Sequence, residues 1–463
     1  MAGRMEALML GVSGLRGTVG GTLTPPVVSQ LAAAFAVWLK QTRTPANGTH
    51  FRVVIGRDSR PSGPWVRDAA VAALTASGVE VIDLDIVTTP GVAMMVNRLS
   101  ADAALIATAS HNPIQWNGLK YLNASSVALP PEDANALKKL FEQQAADYVR
   151  VEKLIPPSKN GDTHALHVKR VLDRLDVNGI STKRFKVVLD SVNGAGCVAT
   201  ATLLNKLGCQ LVHLNATPDG QFPHEPEPTE KNLTQLAAEV KRQRASVGFA
   251  QDPDADRLAI VDENGVYIGE EYSLALCAAY IMGKKEGCVA VTNLSTSRMI
   301  DDIAARCHGK VVRTPVGEAN VAAAMLRENS IIGGEGNGGV IDPRIVPGRD
   351  SLVGMAYVLS LMAASGKTIS QLVADLPRYE IVKTKFECRR EDANRAVEAI
   401  KKEFASEKID AQDGIRIDWD RAWVHARPSN TEPIMRIIAE APDRATAEEK
   451  IAAVQRVVDS VLS

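Results

Sequence analysis

A chain of 463 residues exceeds the ~100–200 residues of an ordinary domain, so two to four domains are expected, each burying its own core. Lys plus Arg (53) nearly cancels Asp plus Glu (54), leaving a formal charge of -1, and aromatics are 4% of the sequence, which removes the electrostatic and stacking basis for binding nucleic acid or an anionic membrane. The 6 cysteines form no C-x-x-C pair and no apolar run has signal-peptide or membrane-spanning character, so zinc, a disulfide framework and export are not expected and a cytoplasmic protein is.

Near the N-terminus GVSGLRG reads as a loop presenting Arg16 between Gly14 and Gly17. Three later segments then share one order: an apolar β-rich run ending in a small polar residue, a loop, a helix-patterned stretch, a Gly, a second β-rich run and Thr-Pro. The first runs from RVVIGRDSRPSG through WVRDAAVAALTASG to VEVIDLDIVTTP. The second runs from KVVLDSVNGAG to Gly208 and QLVHLNATP, and the third from CVAVTNLSTS to Gly309 and KVVRTP. Strands alternating with helices predict βαβ units and an α/β fold with mixed or parallel sheets covered on both faces. Asn264-Gly265, between the apolar runs of IVDENGVYI, predicts a hairpin. The last stretch reads helix (AVEAIKKEFA), strands (GIRIDWDRAWVHARPSN, IMRIIAEA) and helix (ATAEEKIAAVQRVVDSVL), a small α+β domain. With seams in KLIPPSKNGDTH and LPRYEIVKTKFECRRED, four domains are expected at 1–155, 156–260, 261–372 and 373–463.

Four loops carry chemistry. TASHNP, from Thr108 to Pro113, follows the apolar AALIA and belongs at a strand end, where Ser110 is a candidate nucleophile; an ordinary turn is the alternative. A Ser110–His111 dyad is not expected, because adjacent side chains of an extended loop diverge and no G-x-S-x-G elbow is present. Asn117-Gly118 reads as a turn pair that folds the chain back and brings Lys120 toward Ser110. In DPDADR the alternating Asp252, Asp254 and Asp256 suit one hard cation such as Mg²⁺, with a solvated acidic loop and a calcium loop as alternatives. The calcium version takes Glu263 as its bidentate ligand, but Arg257 stands where that loop needs Gly and the flanks are strand-like. GGEGNGG sets Glu335 and Asn337 among glycines, where they suit sugar hydroxyls, or it is a flexible turn. ARPSNTEP crowds Arg427, Ser429, Asn430 and Thr431 into a loop that suits a phosphate dianion, or again a plain turn.

In this order, SGLRG, TASHNP with NGLK, DPDADR, GGEGNGG and RPSNTEP resemble the α-D-phosphohexomutase superfamily over essentially the whole chain. The resemblance implies a heart-shaped, four-domain architecture of three similar α/β domains with mixed sheets plus a C-terminal α+β domain. It implies a Mg²⁺-dependent mutase that interconverts hexose 6-phosphate and hexose 1-phosphate through phospho-Ser110, with a sugar bisphosphate as intermediate and activator. Ser110 and the three aspartates would then be the metal ligands. Arg16 and Lys120 would serve proton transfer or charge stabilisation, and His111 is counted with the catalytic residues. Arg257, Glu335, Asn337, Arg427, Ser429, Asn430 and Thr431 would contact the substrate. Mannose- and glucose-type bacterial members usually read GE-x-SGH where this chain has Asn337 and Gly339, so a proton role for that histidine does not apply here. The EGNGG form looks more like phosphoglucosamine mutases of the archaeal type, which makes glucosamine phosphates the expected substrate and glucose or mannose phosphates the alternative. A non-catalytic sugar-phosphate sensor is a rival from another class, disfavoured by retention of Ser110 together with the acidic triplet. A monomer or homodimer is expected.

Overall fold

The computed structural model describes residues 8–11, 14–428 and 434–462. Its first sheet holds β1 (Met9–Gly11), β2 (Gly14–Thr18), β3 (Arg52–Arg57), β4 (Glu80–Ile86), β5 (Ala103–Ala107), β6 (Trp116–Asn123) and β7 (Ser158–Lys159), in the order β1-β2-β6-β5-β3-β4-β7. The second holds β8 (Lys186–Asp190), β9 (Gln210–Leu214), β10 (Val247–Gln251) and β11 (Leu258–Val261), ordered β11-β10-β8-β9. The third holds β12 (Val289–Asn293), β13 (Lys310–Thr314), β14 (Ile332–Glu335) and β15 (Gly339–Ile341), ordered β13-β12-β14-β15.

One unit recurs in all three sheets. A central strand is flanked by two parallel strands, and the second of these pairs with an antiparallel fourth: β4-β3-β5-β6, β9-β8-β10-β11 and β13-β12-β14-β15. The repeat seen in the letters is thus a repeat of topology. Its consequence is positional. In each unit the connection between third and fourth strands emerges at the carboxyl end of the parallel strands, where open α/β sheets gather their ligands. Those three connections are the segments holding Ser110, Asp252 to Asp256, and Gly336 to Gly338.

The second and third units each bury a small core of their own on one sheet face, around Leu236 and Val261 in the second and around Val321 and Met325 in the third, and share a larger core on the other face. The helices Glu271–Met282 and Ser351–Ser365 are apolar nearly all round, which requires cover on every side. They receive it inside one continuous core, from Val168 to Leu372, that includes Val187 and Phe249 of the second sheet and Ala290 and Ile332 of the third. The first unit has separate cores on its two faces, under the helices Pro25–Thr42 and Thr89–Arg98. In the last unit β16 (Glu380–Glu387), β17 (Lys408–Asp410), β18 (Ile415–Asp418), β19 (Trp423–Pro428) and β20 (Ile434–Ala441) form an antiparallel sheet ordered β16-β20-β19-β18-β17. The helices Arg390–Glu403 and Arg444–Leu462 pack on it through one core.

Two local expectations are corrected. Asn117-Gly118 is no turn but lies inside β6, and the chain reverses within 111–115 instead. Glycine is needed there because a Cβ on Gly118 would stand 2.0 Å from the carbonyl oxygen of Leu15 on the neighbouring β2. Arg16 is likewise on a strand, β2, paired opposite Gly118. The hairpin at Asn264-Gly265 is present, with Gly265 at φ 72° and Asp262 N donating to Val266 O at 2.9 Å. All 6 cysteines are free, and among the described residues no helix is long and apolar enough to cross a membrane.

Candidate active site

β5 is buried along its whole length, so the polar Thr108–Pro113 segment is expelled at its end. Ser110 sits there at φ 52°, a left-handed conformation that a non-glycine residue holds only when its surroundings impose it. Thr108 Oγ1 accepts from Ser110 N at 2.9 Å and donates to Asp58 Oδ2 at 2.7 Å. Arg60, fully buried, pairs with Asp58 at 3.0 Å and donates to the carbonyls of Ser110 (2.7 Å), Asn112 (2.6 Å), Pro113 (2.7 Å) and Trp116 (3.1 Å). A buried ion pair is a weak stabiliser in itself; here the guanidinium satisfies main-chain acceptors that would otherwise be buried without partners.

The turn at Ser110 also overturns the expected divergence of its neighbour. His111 Nδ1 lies 3.3 Å from Ser110 Oγ. Burial, then the nearby Arg257 and Arg16, push the imidazole down to about 3, so the ring is neutral at physiological pH. Its other nitrogen has Glu227 only at 3.9 Å, too far for the orienting hydrogen bond of a triad.

The acidic loop follows β10, with Ala255 at φ 57°. Asp252 Oδ1 accepts from the main-chain N–H groups of Asp256 and Arg257, both at 3.1 Å, and Asp252 Oδ2 accepts from Ser110 Oγ at 3.2 Å. Asp254 Oδ2 accepts from Thr89 Oγ1 at 2.7 Å and Lys120 Nζ at 2.6 Å. Asp256 Oδ2 accepts from Lys120 Nζ at 3.2 Å and Arg349 Nη2 at 2.6 Å. That leaves Asp254 Oδ1 and Asp256 Oδ1 buried without a partner, and the three carboxylates bring one oxygen each within 4.8 Å of one another.

Orphaned, converging, hard oxygen donors fit a divalent cation such as Mg²⁺. The charges agree: burial and repulsion from Asp256 and Asp254 hold Asp252 well above the carboxylate range, a repulsion that a cation relieves. Asp256 is held low against its burial by Arg349, Lys120 and Arg257. The calcium-loop alternative fails on Glu263, whose carboxylate instead accepts from Ser370 N at 3.2 Å and from the Ser370 hydroxyl.

Lys120 therefore contacts the acidic loop, and Arg16 donates to Asn112 Oδ1 of the serine loop at 3.0 Å. Arg257 faces Glu227 at 3.5 Å. Between the third and fourth units opens a cavity of about 510 Å³, in the range of small-molecule sites. Glu335 and Asn337 lie on its wall, together with the cations Lys383, Lys385, Arg427 and Arg436. Glu335 Oε1 accepts from Asn293 Nδ2 at 2.9 Å and Gly317 N at 3.2 Å, and its Oε2 from Arg349 at 3.0 Å. Asn337 Oδ1 accepts from Gly339 N at 3.3 Å, and Arg427 Nε pairs with Asp413 at 3.2 Å. Ser429, Asn430 and Thr431 lie outside the described residues. The last unit is docked by Ser295 Oγ to His425 Nδ1 at 2.8 Å and by Arg298 N to Glu440 at 2.9 Å.

Sequence reasoning missed Arg60, Thr89, Arg349, Lys383 and Lys385. Only the two lysines left a usable signal: spaced two apart in the strand pattern VKTKF, they share one face.

Glu271 also lines the cavity, its Oε2 accepting from Ser297 N at 3.0 Å. Burial, opposed by Lys383, pushes its carboxyl from 4.5 up to about 8. Because the folded value lies above the unfolded one, the unfolded chain releases this proton first. The group's contribution is whole below the unfolded value and is lost as pH rises toward the folded one, at about 1.4 kcal/mol per pH unit. In Glu271→Gln the amide oxygen still accepts but nothing titrates. Its melting temperature is expected to gain on the unmodified protein from about pH 5 to about pH 8; a difference that stays constant across thermal melts in that range would contradict the assignment.

Four family models match the chain in order: Phosphoglucomutase/phosphomannomutase, alpha/beta/alpha domain I at residues 7–147, domain II at 165–265, domain III at 270–379 and the C-terminal domain at 384–457. The chain is 39% identical over 446 residues to a phosphoglucomutase/phosphomannomutase of Thermococcus kodakarensis, covering 95% of this chain and 96% of the relative. It is 36% identical over 444 residues to a probable phosphoglucosamine mutase of Methanopyrus kandleri, covering 95% of each. Among solved structures, a phosphoglucomutase/phosphomannomutase family protein of Burkholderia thailandensis superposes with a TM-score of 0.84 at 25% identity, over 97% of each chain.

Proposed function

Because the chain belongs to the phosphoglucomutase/phosphomannomutase family and is a phosphohexomutase, we propose that it moves a phosphoryl group between O6 and O1 of glucosamine phosphate by way of Ser110. The observation that carries this reading is Ser110 Oγ, 3.2 Å from Asp252 Oδ2, beside the orphaned Asp254 Oδ1 and Asp256 Oδ1.

In the forward half-reaction a sugar hydroxyl oxygen attacks the phosphorus of phospho-Ser110. The P–Oγ bond breaks, the sugar hydroxyl's proton leaves to solvent or a nearby base while the departing Ser110 Oγ takes one up from the same source, and a sugar bisphosphate results. The bisphosphate turns over, Ser110 Oγ attacks the other phosphorus, and the product leaves with one phosphate. Mg²⁺ bound by Ser110, Asp252, Asp254 and Asp256 would supply charge neutralisation for the group in transfer. Arg16 and Lys120, on the paired strands β2 and β6, stand on the same side of the serine and acidic loops and offset the negative charge there. His111, neutral, donates from Nδ1–H to Ser110 Oγ in the unphosphorylated state, while the serine proton goes to Asp252.

On the cavity wall Lys383, Lys385, Arg427 and Arg436 receive the phosphate that is not being transferred. Ser429, Asn430, Thr431 and Arg257 carry further donors of the kind such a phosphate takes. Glu335 and Asn337 meet the sugar hydroxyls in both orientations. A hinge of the last domain lets the bisphosphate reorient without escaping.

The EGNGG loop and the Methanopyrus kandleri relative favour glucosamine phosphate. The Thermococcus kodakarensis relative supports a second reading, a phosphoglucomutase/phosphomannomutase. Turnover of glucosamine, glucose and mannose 6-phosphates, each with Mg²⁺ and its bisphosphate, decides between them. The highest kcat/KM is expected for glucosamine 6-phosphate, and a higher value for either other sugar would install the second reading.

A further inference from the structure

Arg349, between β15 and the helix Ser351–Ser365, has none of the roles above, yet it is 8% exposed and touches the acidic and sugar loops at once. One nitrogen of its guanidinium is 2.6 Å from Asp256 Oδ2 and another is 3.0 Å from Glu335 Oε2. Its stem is held by Glu318, which accepts from Arg349 N at 2.7 Å and lies 3.4 Å from its Nε. Lys120 bridges Asp254 and Asp256 but does not reach Glu335. Among the described residues Arg349 alone bonds to a carboxylate of each loop.

The space it occupies is also particular. A Cβ built on Gly339 would stand 2.2 Å from Arg349 Cδ and 2.8 Å from its Cγ, so the arginine stem runs through the volume that any side chain at 339 would take. Gly339 and Arg349 therefore work as a pair, the first making room for the second.

The geometry points to Arg349 as a positioning residue that couples the metal-binding loop to the sugar-binding loop. By saturating Asp256 Oδ2 it turns the orphaned Oδ1 toward the ion site, and with the same planar fork it fixes Glu335. The inference rests on the reading of the acidic triplet as a metal site. A mere counter-charge and a positioning residue act with opposite sign. Deleting a counter-charge beside three carboxylates would tighten cation binding, whereas deleting the group that aims Asp256 weakens it.

Mg²⁺ alone, titrated calorimetrically into the dephosphorylated full chain without sugar, tests the coupling. Arg349→Met is expected to weaken Mg²⁺ binding by about 10–100-fold, the usual effect of losing a partner of a metal ligand. Arg349→Lys, a point charge that spans only one carboxylate, is expected to keep most of the affinity. Glu335→Gln is expected to shift Mg²⁺ affinity several-fold where Arg349 is present, and not in either Arg349 background. Mg²⁺ binding by Arg349→Met as tight as, or tighter than, that of the unmodified chain would overturn the inference, as would an undiminished effect of Glu335→Gln in the Met or Lys background. Should the methionine variant fail to fold, the lysine pair decides alone. No Mg²⁺ binding by the unmodified chain would overturn the metal reading, and the inference with it.

Discussion

Replacing Ser110 with alanine is expected to lower kcat by roughly 10⁴–10⁶-fold, the scale on which deleting a covalent nucleophile or the base beside it acts. Among the described residues, the Thr89 and Thr108 hydroxyls of the site are both engaged, Thr89 Oγ1 by Asp254 at 2.7 Å. Thr108 Oγ1 is fully buried and occupied by Asp58 and by Ser110 N. The fold should survive, because the loop is held through main-chain atoms: Ser110 N bonds to Thr108, and Ser110 O to Arg60. Alanine meets the same left-handed backbone penalty as serine to a first approximation. Intact mass would show the same variant without the phosphoryl group expected on the unmodified protein, a distinction that a non-catalytic sugar-phosphate binder would not make. Turnover within tenfold of the unmodified enzyme would remove the covalent relay altogether.

Arg60→Met is expected to be the most damaging change away from the reacting atoms. It strips the partner from a fully buried Asp58 and leaves the carbonyls of Ser110, Asn112, Pro113 and Trp116 without their donor. Breaking a buried pair from one side costs about 3–5 kcal/mol. Asp58 already sits above the usual carboxylate range through burial, with Arg60 the largest force pulling it back, so loss of the arginine favours its protonation. The measurable result is a lowered denaturation midpoint together with slower phosphorylation of Ser110. Arg60→Lys should recover little, since a single ammonium cannot span a carboxylate and a row of carbonyls. A midpoint unchanged in Arg60→Met would show that the serine loop holds its shape by other means.

What was legible in the sequence depended on how local its cause is. The serine and acidic loops were readable because residue type and spacing alone carry their chemistry: a hydroxyl after a buried strand, and three acids alternating in one loop. Arg60, Thr89 and Arg349 were not readable, because nothing near them in the chain indicates their partners. Arg60 reaches Ser110 across 50 positions, Arg349 reaches Asp256 across 93 and Thr89 reaches Asp254 across 165. Asn117-Gly118 misled for the same reason. Turn propensity is a local statistic, whereas this glycine answers to the Leu15 carbonyl on a neighbouring strand. His111 was misjudged because divergence was inferred for an extended backbone, and the φ of 52° at Ser110 came from the Arg60 clamp and the Thr108 bond.

By itself the amino-acid order determined the α/β repeat and the α+β terminus, and it singled out the candidate serine and the acidic triplet, since periodicity and side-chain chemistry are properties of short segments. Only tertiary structure decided that the three candidate loops occupy equivalent places in the three repeats, that the second and third units share a core, and that one arginine ties Asp256 to Glu335. Strand pairing and burial are made between segments far apart in the chain, and no short stretch contains the energy that chooses among them.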